Sequence, residues 1–210
     1  LPAASPALNY LGQLRLYSYA DLMLLVAALG GTPREFLGIT LLWFGFIVYL
    51  EWRHRDVGRL HWPWIVWVAL WIGGIAAVAS PLVAPFLFLA VLYAQKKQLG
   101  RWGATSWLVN GALKAVLAGM VLGTAVALSA LVGVLTAVRN LAGDVRDVEK
   151  DAGEGFWTLP VLVGYQGHRD PYPGVLFLTS AAWTVVGALP WWSLLVTVAI
   201  EVVTYPLTPR

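Results

Sequence analysis

The chain has 210 residues, 59% of them hydrophobic and 12% charged, with mean hydropathy +0.71 and a formal net charge of +3. Soluble domains average about 45–50% apolar and about 25% charged residues, so this composition excludes a soluble enzyme, a disordered chain and a small secreted scaffold. The absence of cysteine excludes disulfides, thiol catalysis and thiolate-bound metals, and what remains is an all-α, polytopic membrane helical bundle.

Residues 1–10 show no charged stretch followed by an apolar core and a cleavage site, so no signal peptide is expected. Beyond them, apolar runs separated by charge or proline predict about eight transmembrane helices, at 16–30, 36–50, 62–80, 82–94, 106–123, 124–138, 174–189 and 191–205. Several are shorter than the ~20 residues needed to cross ~30 Å of hydrocarbon. They must extend into flanking residues or pair closely with neighbours, and the pairs around Ser80-Pro81 and Pro190 read equally as re-entrant hairpins. Eight crossings gather every Lys and Arg except Arg34 and Lys114 on one side, which makes that face cytoplasmic. Glu51, Asp56, Asp144, Asp147, Glu149, Asp151, Glu154 and Asp170 share that face, so a charged ligand would be met there. The positive charge is thus explained by membrane topology, and no nucleic-acid partner is expected. No repeat or linker interrupts the pattern, so 1–210 reads as one domain embedded in the lipid bilayer.

The run 139–151 stands apart. It continues the helical pattern of the span before it, and Asp144, Asp147 and Asp151 are spaced i, i+3, i+7, which puts them on one face of a continuous helix. Three carboxylates on one face repel one another, and a divalent cation with hard oxygen preference, Mg²⁺, is their natural counter-charge. The plainer alternative is a solvated helix end with Arg146 and Lys150 neutralising the acids. An EF-hand beginning at Asp147 is excluded, because Ala152 stands at the turn glycine and Thr158 at the closing glutamate. Lys114 lies inside a span, where a charge marks a cavity by default. Asn110 is one turn before it on the same face, and together they read as a diphosphate or acceptor site, or as a lysine snorkelling to the interface. Arg139, one turn above Asp144 with Asn140 beside it, reads as a phosphate clamp or an interfacial anchor.

Thr158-Leu159-Pro160-Val161 and Gly164 follow Asp151 closely. The stretch 144–164, DVRDVEKDAGEGFWTLPVLVG, resembles the second Asp-rich motif of the UbiA superfamily of intramembrane prenyltransferases, DxxDxxxD followed by TLPVxxG. A weaker likeness includes Arg15-Leu16-Tyr17 and, across 93–114, Lys96-Lys97, Gly100 and Asn110-Gly111. The resemblance implies a bundle around a lateral, lipid-facing cavity. It also implies Mg²⁺-dependent transfer of an isoprenyl group from a polyprenyl diphosphate donor to an acceptor that the sequence does not identify. On that basis Asp144, Asp147 and Asp151 are the expected catalytic, metal-holding acids, helped by Glu51 or Asp56, while Arg15, Asn110, Lys114, Arg139 and Lys150 hold the diphosphate.

The family's first acidic motif, NDxxDxxxD, is replaced here by YLEWRHRD at 49–56, where Glu51 and Asp56 are spaced i, i+5 and cannot both occupy motif positions. Arg53, His54 and Arg55 crowd the same loop. Three readings stay open: one acid from this loop joins three from the second motif, the Arg/His cluster binds diphosphate directly, or the chain is a non-catalytic relative that binds an isoprenoid lipid or a membrane partner. The family's usual ninth span is also expected to be absent. Lys96, Lys97 and Arg101 read as topology anchors, His54 and His61 as weak metal candidates, and His168 as an ordinary loop residue. Asp21, inside the first span, either pairs with a basic group or faces the cavity. Most of the twelve Trp residues read as interface belts, and Gly111, Gly119 and Gly123 as close helix contacts. A transporter would need more charge along the spans than Asp21, Lys114 and Glu201 provide.

Overall fold

The computed structural model describes residues 6–53, 62–95, 99–123, 125–167 and 169–207. Every regular element among them is helical: α1 (Pro6–Gln13), α2 (Leu16–Ala28), α3 (Pro33–Arg53), α4 (Trp64–Val78), α5 (Val83–Gln95), α6 (Ser106–Leu122), α7 (Val126–Arg146), α8 (Val148–Gly153), α9 (Leu159–Leu162), α10 (Tyr172–Val186) and α11 (Trp191–Thr204). Among the described residues, three helical runs are long and apolar enough to cross a membrane: Pro33–Arg53, Gly100–Leu122 and Val126–Arg146. The chain is therefore suited to a membrane. The Gly100–Leu122 run includes a 3-10 turn, Gly100–Thr105, leading into α6.

The chain divides into two compact units, Leu1–Ser80 with Ser180–Arg210, and Pro81–Thr179. In the first unit, α3 opens on a reciprocal capping box. Glu35 accepts the Thr32 N–H at 2.7 Å, and its own N–H donates to the Thr32 hydroxyl at 3.3 Å. Pro33 takes the first helical position, where its missing N–H is harmless. The packing of α3 on α4 depends on residues without side chains. Leu42 lies against Gly74, and the Trp71 ring lies over Gly45, where a Cβ would come within 2.8 Å of the indole nitrogen. Around that contact Tyr49, Trp52, Trp67 and Trp71 form a ring cluster, with centroids 5.0 Å apart for Trp67 and Trp71. At the other end of α4 the Arg34 Nε donates to the Ala77 carbonyl at 2.6 Å.

A second polar cluster joins α2, α10 and α11. The Ser180 hydroxyl lies 3.1 Å from Asp21 Oδ1 and 2.7 Å from Glu201 Oε1, and the Trp183 indole N–H donates to Asp21 at 3.1 Å. All four side chains are buried. Asp21, undecided from the sequence, therefore holds hydroxyl and indole partners. One turn away the rings of Tyr17 and Tyr205 meet edge-on at 5.3 Å.

In the second unit, α6 and α7 form an antiparallel hairpin turned at Gly123, which has φ +59°. They approach backbone to backbone: a Cβ on Gly111 would lie 2.5 Å from the Gly133 carbonyl oxygen and 2.8 Å from Ala137 Cβ. The small-residue packing expected at Gly111 is thus realised against Gly133. One expectation is corrected. The helix carrying the acids is not continuous: α7 ends at Arg146, Asp147 adopts φ −93° and ψ 9°, and α8 begins at Val148. The amide of Asp147 still reaches Gly143 O, and that of Asp151 reaches Asp147 O, so the chain bends without reversing.

Candidate functional site

The hairpin in the second unit is tied by two polar rungs. Ser106, the first residue of α6, donates to Asp144 Oδ2 at 3.1 Å, and one turn later Asn110 donates to Asn140 Oδ1 at 2.6 Å. Tyr93 of α5 donates to the same Asn140 oxygen at 2.9 Å, so one amide joins three helices. Continuing the register by one turn puts Lys114 opposite Thr136, and both are buried. Buried polar groups survive only with partners, and the hydrogen-bonded rungs supply them to Ser106, Asp144 and Tyr93 between otherwise apolar helices.

The expected site residues divide as follows. Asp144 and Arg139 of α7 are buried, at 7% and 4% exposure, and Lys114 of α6 is at 1%. Asp151 is fully buried in α8, and its carbonyl accepts the Phe156 amide. Asp147 is part-exposed and held by its neighbour: Arg146 Nε donates to Oδ1 at 2.7 Å and Nη2 to Oδ2 at 2.5 Å. Lys150 lies 3.8 Å from Glu154 across one helical turn, both about one-third exposed. Asn110 belongs to the rung with Asn140. Thr158, which opens the TLPV segment, is fully buried, and its hydroxyl has no hydrogen-bond partner among the described residues.

Arg15 and Glu51 belong to the first unit, where they pair at 3.0 Å. Arg15 sits in the left-handed region, φ 50°, immediately before α2. An expected diphosphate ligand and an expected metal ligand are thus each other's partner. Asp56, His54, His61, Lys96, Lys97 and His168 lie outside the described residues.

Among the described residues, no three His, Asp or Glu side chains gather as a ready-made metal cage. Mg²⁺ does not require one, since it takes one or two carboxylates with water and phosphate oxygens. The oxygens of Asp144, Asp147 and Asp151, with the orphaned Thr158 hydroxyl, are donors of the right chemistry. No protein-family model, no curated protein and no solved structure matches this chain.

Sequence reasoning overlooked Ser106, the hydroxyl of Tyr93 and Tyr172, whereas Arg146, expected as a neutralising charge beside the acids, does pair with Asp147. A signal for Ser106 was present. Ser106, Asn110 and Lys114 recur every four residues on α6, as do Thr136, Asn140 and Asp144 on α7, so two polar stripes at helical spacing face each other across a short turn. Nothing local marks Tyr172, whose ring lies 5.2 Å from the Arg146 guanidinium and is reached only by folding the chain back from α10.

Proposed function

We propose that this protein is a multi-pass membrane prenyltransferase of the UbiA type, with eight membrane-crossing helices around a lateral cavity and its acidic face in the cytoplasm. It transfers an isoprenyl group from a polyprenyl diphosphate to an acceptor whose identity stays open. The observation that carries the reading is the burial of Lys114, Arg139, Asp144 and Asp151 within one unit, beside the DxxDxxxD–TLPV sequence. Charge within apolar helices is expensive and is kept where a ligand needs it.

In this reading bound Mg²⁺ supplies charge neutralisation for the departing diphosphate. The chain's own groups do the rest. Lys114 and Arg139 present fixed cations to the phosphate oxygens, and their protein surroundings strengthen that attraction because little water competes. Ser106 orients Asp144, and Asn110 and Tyr93 hold α7 in register through Asn140. The apolar flanks exclude water from the cationic prenyl group, which would otherwise be quenched.

A second reading, a non-catalytic relative that binds isoprenoid lipid, is favoured by one observation: the first-motif acid Glu51 is engaged by Arg15. Binding of non-hydrolysable geranylgeranyl thiolodiphosphate to detergent-purified protein separates the two. Mg²⁺-dependent binding that is lost in Lys114→Gln and Asp144→Asn supports the enzyme. Binding of geranylgeraniol alone, indifferent to EDTA, supports the lipid-binding relative. Binding of neither overturns both.

A further inference from the structure

On a regular helix, adjacent side chains point about 100° apart and do not meet. Arg146 and Asp147 do meet, through two parallel bonds of 2.7 and 2.5 Å. The break at Asp147 makes this possible, because α7 ends at Arg146 and Asp147 leaves helical geometry before α8 begins. The guanidinium also lies over the Tyr172 ring, 5.2 Å from its centre. Its side chain is only 14% exposed, so the fork is seated in the protein and does not wave in solvent. A guanidinium in this geometry matches a carboxylate or a phosphate equally well.

We infer that Arg146 is a latch on Asp147. In the ligand-free protein it occupies both carboxylate oxygens and presents a positive charge where a cation would approach. When metal and diphosphate arrive together, the metal takes the carboxylate and the guanidinium transfers its two N–H bonds to a diphosphate oxygen pair. Arg139 lies seven residues earlier, on the same face of α7, so the released fork joins a cation already there. The latch therefore couples the two ligands: metal alone must displace a bidentate arginine, while metal with diphosphate gives that arginine a new partner. This rests on the proposed diphosphate chemistry, and it assigns Arg146 to substrate binding.

The test uses the full-length protein in detergent, with Mn²⁺ as a paramagnetic metal probe and geranylgeranyl thiolodiphosphate as the diphosphate probe. Arg146→Ala should bind Mn²⁺ alone about tenfold more tightly and the diphosphate probe about tenfold more weakly, the scale of one charge-assisted bond. Arg146→Lys, which keeps the charge without the fork, should fall between. Asp147→Asn should lose the Mn²⁺ gain when combined with Arg146→Ala, and circular dichroism of each variant separates misfolding from altered affinity. Unchanged or weaker Mn²⁺ binding in Arg146→Ala overturns the latch while leaving the proposed function intact, provided the wild type still binds the diphosphate probe. Wild-type protein that binds neither probe overturns the proposed function and the latch with it.

Discussion

Asn140 shows how one side chain can set the position of three helices. Its amide oxygen accepts from Tyr93 and Asn110, so its removal strands two donors, whereas Tyr93→Phe removes one donor and leaves Asn110 in place. A stranded donor costs about 1–3 kcal/mol when buried, as Tyr93 is, and less at the half-buried Asn110, against about 0.5–1.5 kcal/mol for a hydrogen bond removed with its donor. Asn140→Leu should therefore destabilise the protein more than Tyr93→Phe, and the double variant should fall short of their sum. Unfolding in mixed detergent micelles measures all three. Ser180→Ala removes the hydroxyl between Asp21 and Glu201, and a loss of about 1–3 kcal/mol is expected in the same assay. If Ser180→Ala is neutral, the cluster is not what joins α2, α10 and α11. The types of these residues were visible in the sequence, but their partners were not. Asp21 and Ser180 are 159 positions apart, and no local pattern connects them.

At the scale of elements, the eight apolar segments correspond to α2 to α7, α10 and α11, with ends displaced by a few residues. The largest displacement is instructive. Hydropathy ends the sixth segment at 138, but α7 runs on to Arg146, because backbone hydrogen bonds continue after the residues stop being apolar. The amphipathic α1 was missed because it is short and lies among prolines. The common face of Asp144, Asp147 and Asp151 was inferred from spacing, which holds only while the helix continues, and the pairing of Arg146 with Asp147 coincides with the interruption. Close packing makes its own prediction here. Gly111→Leu should force α6 away from α7, because its Cβ would already meet the Gly133 carbonyl. Gly119→Ala, whose Cβ would meet the Leu82 methyl at 3.0 Å, should be much milder. A misfolded fraction of similar size for both, measured by size exclusion, would show that the hairpin does not depend on this approach.

For the whole molecule, the distribution of charge makes a prediction about sidedness. The chain contains no cysteine, so a single cysteine introduced at any position reports without background. On the eight-crossing topology, cysteines at Arg101 and Glu149 should react with a membrane-impermeant maleimide only from the cytoplasmic side, and those at Thr32 and Ser80 only from the opposite side. Reaction of Thr32 and Arg101 from the same side would reduce the number of crossings and remove the basis for an acidic cytoplasmic face. At this level the apolar helices suited to a membrane were legible in the sequence, because they follow from apolar length. The placement of ligand groups was less so, because it depends on which helices meet.

The α-helices α2 and α11 have 13 and 14 residues, and a 3-10 turn, Tyr205–Leu207, carries the second on to Leu207. At 1.5 Å per residue α2 reaches about 20 Å, some 10 Å less than ordinary hydrocarbon thickness, and α11 reaches about 21 Å before its 3-10 turn. Trp191 and Trp192 are exposed at the very start of α11, where indoles favour the headgroup layer. If these helices cross on the proposed topology, a bilayer beside them has to thin locally, and the elastic cost of doing so depends on acyl length. Thermal stability in nanodiscs should rise as the lipid tails are shortened and fall in sterol-stiffened membranes. Through that preference, the lengths of two helices would influence which cellular membranes retain the protein.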